Sequence, residues 1–311
     1  MHQLALRGAF LTIVALGSML CYGSMLAHAG EAIKRVAVIV SEPIRPYQEA
    51  VSSLERILKK NGVQVVILEM EEEGRRPSKT LITAVRSEKY KIWVSVGPQA
   101  TQFLWSVKHR EKVTRIYGMV LNPEELVDKG CGVPLNIPIS KQVKIVRRLF
   151  REFKRIGILY DPKYNEDFVS KASKVAAREG IQIVPIEVSS KEQIRKILGI
   201  AWARIDAIWL IPDFTVISEP TVRFIIKEGL ANNTAAIGYN RFFFHSGAVL
   251  SFVLNYSRIG EQIALLCLEA VAGRPCMSLP PFFEVWVNSR ALELLGLKLS
   301  TDTVANLKVM P

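Results

Sequence analysis

Cysteine and histidine are scarce in this chain, since its 311 residues contain only four of each. The cysteines form no CxxC pair, and metal sites need such ligands at short spacings. Only His109 and His245 lie beyond the first thirty residues, and neither follows a recognisable nucleophile motif. These shortages predict a protein without a metal site, a cofactor or catalytic residues.

Motifs that cradle nucleotide phosphates or present a nucleophile are also absent. The chain has no GxGxxG, no GxxxxGKS/T and no GxSxG elbow. Dinucleotide-binding, P-loop and α/β-hydrolase signatures are thereby excluded. A secreted hydrolase remains only a third hypothesis, because no pair of nucleophile and base can be named.

Long apolar runs are confined to the N-terminus. Residues 8–26 are uncharged and apolar, and Ala27 and Ala29 occupy the positions that a signal peptidase requires. We therefore expect a cleaved signal peptide over residues 1–29 and a periplasmic protein; an uncleaved anchor is the alternative. Cys21 lacks the small residues that usually precede a lipidated cysteine, and it would leave with the signal.

The formal net charge of +12 at pH 7 raises the question of a nucleic-acid partner. The basic residues are scattered over helices without interleaved aromatics, and export argues against such a partner, so we expect no nucleic acid. An acidic membrane surface or partner remains open. Cys267 lies on an apolar helix face and is predicted to be in the core. Cys131 and Cys276 could pair in an oxidising compartment, although no local feature requires the bond.

Apolar strands alternate with amphipathic helices from residue 33 onward. Strands are predicted at residues 34–40, 63–70, 91–97 and 114–122, and the series restarts near residue 154 with "KRIGILYD". Such a series forms a parallel sheet wound by right-handed crossovers. The predicted fold class is therefore α/β, with two Rossmann-like lobes that face one another, each an open parallel sheet with helices on both faces. The tail is expected to complete both lobes.

Ligands of open parallel sheets bind beyond the carboxyl ends of the strands. Pro98 after Gly97 fits the first turn of a helix, so the amides of Gln99, Ala100 and Thr101 should point towards a carboxylate.

On the other lobe, Asp213 is a candidate partner for an ammonium group. The rings of Tyr164, Phe214, Tyr239 and residues 242–244 could stack on an apolar body. Helix capping by Thr101 and Asp213, and core packing of the phenylalanines, are the structural alternatives.

The order of several segments resembles a known family. These are "GPQAT", "VLNPEE", "GVPLNIPISKQV", "KRIGILYDPKYN", "IWLIPDFTVIS", "SGAVLSFVLNYSRIGEQIALLCLEAVAGRP" and "VWVNSRALELLGLKL". The chain is similar to periplasmic substrate-binding proteins of ABC importers, type I class, in the group that includes binders of tryptophan and related aromatic amino acids.

The resemblance implies two hinged lobes that close over one small ligand. Residues 33–135 with about 247–275 would form the first lobe, and residues 136–246 with about 281–311 the second. The closed form would dock as a monomer on an ABC permease of the inner membrane that works with a separate ATPase. Ligand contacts are implied for Gly97, Pro98, Gln99, Ala100, Thr101, Asn122, Asp161, Tyr164, Asn165, Asp213, Phe214, Thr215, Tyr239 and Asn240.

Three positions depart from the family pattern. Pro98 replaces a usual Thr or Ser, Asn122 replaces an Asp and so removes a charge, and Phe214 replaces a polar amide. These changes admit a ligand that is less polar than an amino acid. The competing hypothesis is a periplasmic sensor of the same fold that presents its ligand-bound state to a receptor.

Overall fold

The computed structural model describes residues 35–71, 76–87, 89–108, 113–300 and 304–311. The predicted signal peptide, Cys21 and His109 lie outside these residues. Within them, every helix is too short or too polar to cross a bilayer.

The first sheet has six strands, and their order is β3-β2-β1-β4-β5-β6. Neighbours are parallel except β2 and β3, which run antiparallel. The central strands read as continuous apolar runs because helices cover both faces of the sheet. The strands are β1 Arg35–Val40, β2 Gln64–Glu71, β3 Arg76–Pro77, β4 Ile92–Val96, β5 Thr114–Gly118 and β6 Cys131–Val133.

Three helices follow strands of this sheet. Their apolar faces pack against it as the sequence periodicity predicts, and two separate clusters of buried residues result, one on each face. The helices are α1 Arg45–Lys60, α2 Lys79–Arg86 and α3 Pro98–Ser106.

The second sheet has seven strands in the order β13-β12-β11-β10-β9-β7-β8. All neighbours are parallel except β11 and β12. The strands are β7 Arg155–Tyr160, β8 Gln182–Glu187, β9 Ala207–Trp209, β10 Ala235–Gly238, β11 Leu250–Leu254, β12 Phe283–Asn288 and β13 Leu307–Met310.

The remaining helices cover the second sheet, with the exception of the one that lies between β11 and β12 in the chain. They are α4 Ile139–Leu149, α5 Pro162–Arg178, α6 Lys191–Ala201, α7 Glu219–Ala231, α8 Arg241–His245, α9 Tyr256–Val271 and α10 Ser289–Leu294. The predicted fold class is confirmed as two α/β lobes, although each sheet is mixed because of its one antiparallel pair.

The exception is α9, which packs against α1 of the first lobe. A Cβ atom at Gly260 would overlap the carbonyl oxygen of Ala50, so the glycine permits this close approach.

The strand before α9, β11, belongs to the second sheet. We expected residues from about 247 to join the first lobe, but β11 pairs with β10, with Leu250 opposite Ile237.

The chain therefore crosses between the sheets three times: between β6 and α4, between β11 and α9, and between α9 and β12. The third crossing is covalently fixed to the first lobe. Cys131 on β6 and Cys276 form a disulfide with a Cα–Cα distance of 5.8 Å. The sequence left open whether these two cysteines pair, and in the structure they do. The core placement of Cys267 is confirmed, since it is fully buried.

Candidate functional site

The turn after β4 adopts the predicted geometry. Gly97 has φ 92°, and a Cβ atom there would lie 2.6 Å from Ser41 Oγ and 2.8 Å from Tyr47 Cε2. Only glycine adopts this backbone conformation without strain. Pro98 then begins α3, where its missing N–H costs no hydrogen bond.

The amides of this turn are less available than expected. Ala100 N donates to Ser41 Oγ at 2.9 Å, and Thr101 N donates to Gly97 O at 3.2 Å. Thr101 is fully buried, and its hydroxyl donates to Gly97 O at 2.8 Å and lies 2.8 Å from Ser95 Oγ. The hypothesis that the amides of Ala100 and Thr101 await a ligand carboxylate is therefore wrong for this conformation, because both donate to protein atoms. Gln99 is half-buried.

Asp213 organises the loop after β9. Its side chain is 4% exposed and accepts four hydrogen bonds from protein donors. Oδ1 accepts from Thr215 N at 2.9 Å and Val216 N at 3.0 Å, and Oδ2 accepts from Asp161 N at 2.9 Å and Asn165 Nδ2 at 2.8 Å. A carboxylate offers about four lone-pair sites. The structural alternative for Asp213 was helix capping, but Asp213 caps the turn at residues 214–216, and the next helix begins only at Glu219.

Asp161 completes the same network. It caps α5 by accepting from Lys163 N at 3.0 Å, and it accepts from Thr215 Oγ1 at 2.7 Å. Asn165 also donates to Pro212 O at 3.2 Å. The structure thus brings Asp161, Asn165, Asp213 and Thr215 together as a cluster that joins two loops through its own hydrogen bonds. All four were predicted to contact a ligand.

Tyr164 and Phe214 form an aromatic pair on the rim of the second lobe. Their ring centroids are 5.6 Å apart at 66°, and Lys163 Nζ lies 5.1 Å from the Tyr164 ring. Phe214 is 86% exposed and Tyr164 48% exposed. Both rings are free to contact a ligand or the facing lobe.

Asn122 ties the loop after β5 to the segment between the lobes. Its backbone is left-handed, with φ 47°. The strand predicted to reach residue 122 ends at Gly118, because Met119 already leaves extended geometry with φ 60°. Asn122 N donates to Asn136 Oδ1 at 2.8 Å, and Asn136 Nδ2 donates to Asn122 Oδ1 at 2.8 Å. This reciprocal pair holds the loop against the first crossing of the chain.

A cavity of about 300 Å³ opens where the two lobes meet, and we call it the interlobe cavity. It lies beyond the carboxyl ends of β9 and β10, as expected for a parallel sheet. Aliphatic side chains from both lobes and from the crossings line it, including Leu121, Leu135, Ile137, Ile211 and Leu254. Four aromatic rings and three amide side chains also line it, namely Phe168, Trp209, Tyr239, Tyr256, Asn136, Gln142 and Asn240.

Only Tyr239 and Asn240 among the predicted site residues line this cavity. The other lining side chains were missed for a simple reason. Trp209 is the last residue of β9 but lies inside the longer strand that the sequence predicts, "DAIWLIPD". Phe168 lies in the middle of α5, and Tyr256 begins a helix of the other lobe. Periodicity assigns such apolar residues to the core, and the search of strand ends passed over them. One sequence signal was available for Tyr256. It directly follows Asn255, a helix N-cap, and so lies at the start of a helix.

Both tyrosine hydroxyls of the cavity are neutral at pH 7. Burial, and then the charge of Asp213, raise the pKa of Tyr239 to about 12. Burial also raises the pKa of Tyr256, with Arg241 lowering it and Glu49 raising it. The hydroxyl groups can therefore both donate and accept hydrogen bonds. Among the described residues, no group of three or more His, Cys, Asp or Glu side chains could hold a metal.

A family model described as "ABC transporter substrate binding protein" matches residues 36–306. The chain belongs to this family. Members of the ABC substrate-binding family are typically located outside the cytoplasm, and proteins of this family and fold are usually not enzymes. The comparison with curated proteins finds no significant match.

Solved structures of ABC substrate-binding and related proteins share the fold. The open, ligand-free structure of CD0873, a substrate binding protein with adhesive properties from Clostridium difficile, has a TM-score of 0.74 at 14% identity and covers 89% of this chain and 99% of its own.

Two further structures are similar over the same region. An ABC domain from Streptococcus pneumonia in complex with L-Trp has a TM-score of 0.57 at 17% identity, covering 88% of this chain and 99% of its own. A conserved domain protein from Vibrio cholerae has a TM-score of 0.59 at 18% identity, covering 89% and 99%. The neighbours have type I periplasmic-binding folds, which this ABC substrate-binding family member shares.

Proposed function

We propose that this chain is the exported solute-binding component of an ABC importer. It captures a small ligand between its two lobes and delivers the ligand to an ABC permease in the inner membrane that is driven by a separate ATPase. The observation that carries this proposal is the interlobe cavity, which is lined from both lobes in a chain of the ABC substrate-binding family.

The proposed mechanism is lobe closure without chemistry. Leu121 and Tyr256 line the cavity from the first lobe, and Trp209 and Tyr239 line it from the second. A ligand that contacts both sets stabilises the arrangement in which the lobes approach each other. The three chain crossings are the segments that can bend, and the closed monomer is the form that docks on the permease.

Export is supported by two independent features. The N-terminal sequence has the pattern of a signal peptide with Ala27 and Ala29 before the cleavage site. The Cys131–Cys276 disulfide forms in oxidising compartments such as the periplasm. Intact-mass measurement of the periplasmic protein should give a chain that begins at Gly30.

The ligand is proposed to be an amino acid or another small molecule with an aromatic body. The pneumococcal relative is described in complex with L-Trp, and four aromatic rings line the interlobe cavity here. Family membership favours import over the sensory role considered from the sequence.

A ligand screen tests the proposal directly. The mature protein is heated with amino acids, peptides, purines and aromatic acids, and a tight ligand raises the melting temperature by mass action. Small-angle scattering with the hit should show a smaller radius of gyration, because the lobes close. A hit that is chemically converted during incubation would instead indicate an enzyme.

A further inference from the structure

The interlobe cavity contains no formal charge. Among the described residues that line it, every side chain is aliphatic, aromatic, amide or phenol, and none is Asp, Glu, Lys, Arg or His. Cavities that bind zwitterions or ions must supply opposite charges or several aimed donors, because a charged group removed from water is costly unless it is paired. The lining offers no such partner.

The amide side chains of the lining are already engaged with the protein. Gln142 Nε2 donates to Ile137 O at 2.9 Å, and Asn136 is held in its reciprocal pair with Asn122. Asn240 Oδ1 accepts from Phe243 N at 3.3 Å as the cap of α8. The hydroxyls of Tyr239 and Tyr256 therefore remain, together with Gln142 Oε1 and Asn240 Nδ2, as neutral polar groups that a ligand can meet.

The charged and polar groups expected to hold an amino acid are used elsewhere. Asp213 accepts four hydrogen bonds within its own loop network, and Ala100 N and Thr101 N donate to Ser41 and Gly97. Neither end of a zwitterion finds a charged partner in the lining of the cavity. The charges that act on the cavity's tyrosines belong to Asp213, beside Tyr239, and to Arg241 and Glu49, beside Tyr256. None of these three side chains lines the cavity.

We propose that the ligand is an uncharged, predominantly apolar aromatic molecule with one or two hydrogen-bonding groups, and not a zwitterionic amino acid. This inference rests on the proposed solute-binding function and narrows its ligand class. The ring system packs among Phe168, Trp209 and the aliphatic lining, and its polar group meets the hydroxyl of Tyr239 or Tyr256. A cavity of about 300 Å³ is at the small end of ligand pockets, which suits one or two fused rings.

Matched indole compounds separate charge from shape. Titration calorimetry compares neutral indole-3-acetamide with its anionic counterpart indole-3-acetate, neutral tryptophol with cationic tryptamine, and both pairs with L-tryptophan. We expect each neutral compound to bind at least about tenfold more tightly than its charged counterpart, because the cavity cannot compensate the lost hydration of a charge. A parallel phenyl series, phenylacetamide against phenylacetate, covers smaller rings.

A site variant assigns the binding to the cavity. Leu121 lines its mouth and is 49% exposed, so Leu121→Trp narrows the entrance without disturbing the core. Leu294→Trp is the matched control, because Leu294 is 74% exposed on α10 and does not line the cavity. Neutral ligands should lose affinity with the first variant and keep it with the second.

Three outcomes overturn the inference. The first is tighter binding of L-tryptophan than of the neutral compounds, which would leave the solute-binding function intact. The second is tighter binding of tryptamine or indole-3-acetate than of its neutral counterpart, which would show that a neighbouring charge, from Asp213, Glu49 or Arg241, acts on the ligand. The third is that neither aromatic series binds, in which case the proposed ligand class is wrong. The solute-binding function is then supported only if another compound closes the lobes in scattering measurements.

Discussion

Asn165 Nδ2 donates to Asp213 Oδ2 at 2.8 Å and thereby links α5 to the loop after β9. The backbone of Asn165 leaves helical geometry, with φ −130° and ψ 15°, although it lies inside the helix. The kink brings the side chain within reach of Asp213. Two loops at the carboxyl edge of the second sheet are consequently held as one unit beside the interlobe cavity.

Asp213→Asn should destabilise the protein without abolishing binding of a neutral ligand. The NH₂ group of the asparagine side chain would face a donor that the carboxylate oxygen now accepts from, so one hydrogen bond is lost. We therefore expect the free energy of unfolding to fall by about 1–3 kcal/mol. Urea denaturation measures this change. The exposed Asp167→Asn on α5 is the control, with little expected effect. Unchanged stability together with lost binding would show that Asp213 contacts the ligand.

Tyr239→Phe should weaken ligand binding while keeping the ring contacts of the cavity. Removing one hydrogen bond to a neutral ligand costs about 0.5–1.5 kcal/mol, which is roughly a threefold to tenfold loss of affinity. Calorimetry with the compound identified in the screen gives the value. Tyr164→Phe alters a rim tyrosine outside the cavity and should leave affinity unchanged. Equal losses in the two variants would place the ligand at the rim.

Gly97→Ala should reduce stability sharply. The added methyl group meets Ser41 Oγ and Tyr47 Cε2, and φ is 92°, so we expect a loss of about 2 kcal/mol or more. Gly199→Ala is the matched control on α6, because nothing lies within 4 Å of its Cβ position. That variant should be slightly stabilising, by roughly 0.4–1 kcal/mol. Thermal unfolding of both proteins distinguishes the turn effect from a general effect of alanine.

Reduction of the Cys131–Cys276 disulfide should lower the melting temperature. The bond spans 145 residues and restricts the unfolded chain, so its loss costs about 2–5 kcal/mol. Melting curves with and without dithiothreitol measure the difference. The double variant Cys131→Ser with Cys276→Ser should melt at the lower temperature and no longer respond to the reductant. A wild-type curve unaffected by complete reduction would contradict the prediction.

The candidate site was only partly predictable, for reasons that differ between residues. The turn at Gly97 and the helix start at Pro98 could be predicted because glycine and proline determine the backbone conformation locally. Asp161 and Asp213 were located correctly at strand ends, but their partners could not be read from local sequence. Asp213 receives donors from positions 52 and 48 residues away in the chain, at Asp161 and Asn165. Hydrogen bonds at such separations decide whether a carboxylate is free for a ligand or already satisfied.

The alternation of strands and helices, and hence two α/β lobes, was determined by the sequence alone, because hydrophobic periodicity and turn residues act locally. The pairing of β11 with β10, the packing of α9 on α1 and the lining of the interlobe cavity were decided only by the tertiary structure. Each of these depends on the position of segments far apart in the chain, where an apolar residue such as Trp209 has the same sequence signature whether it faces a core or a ligand.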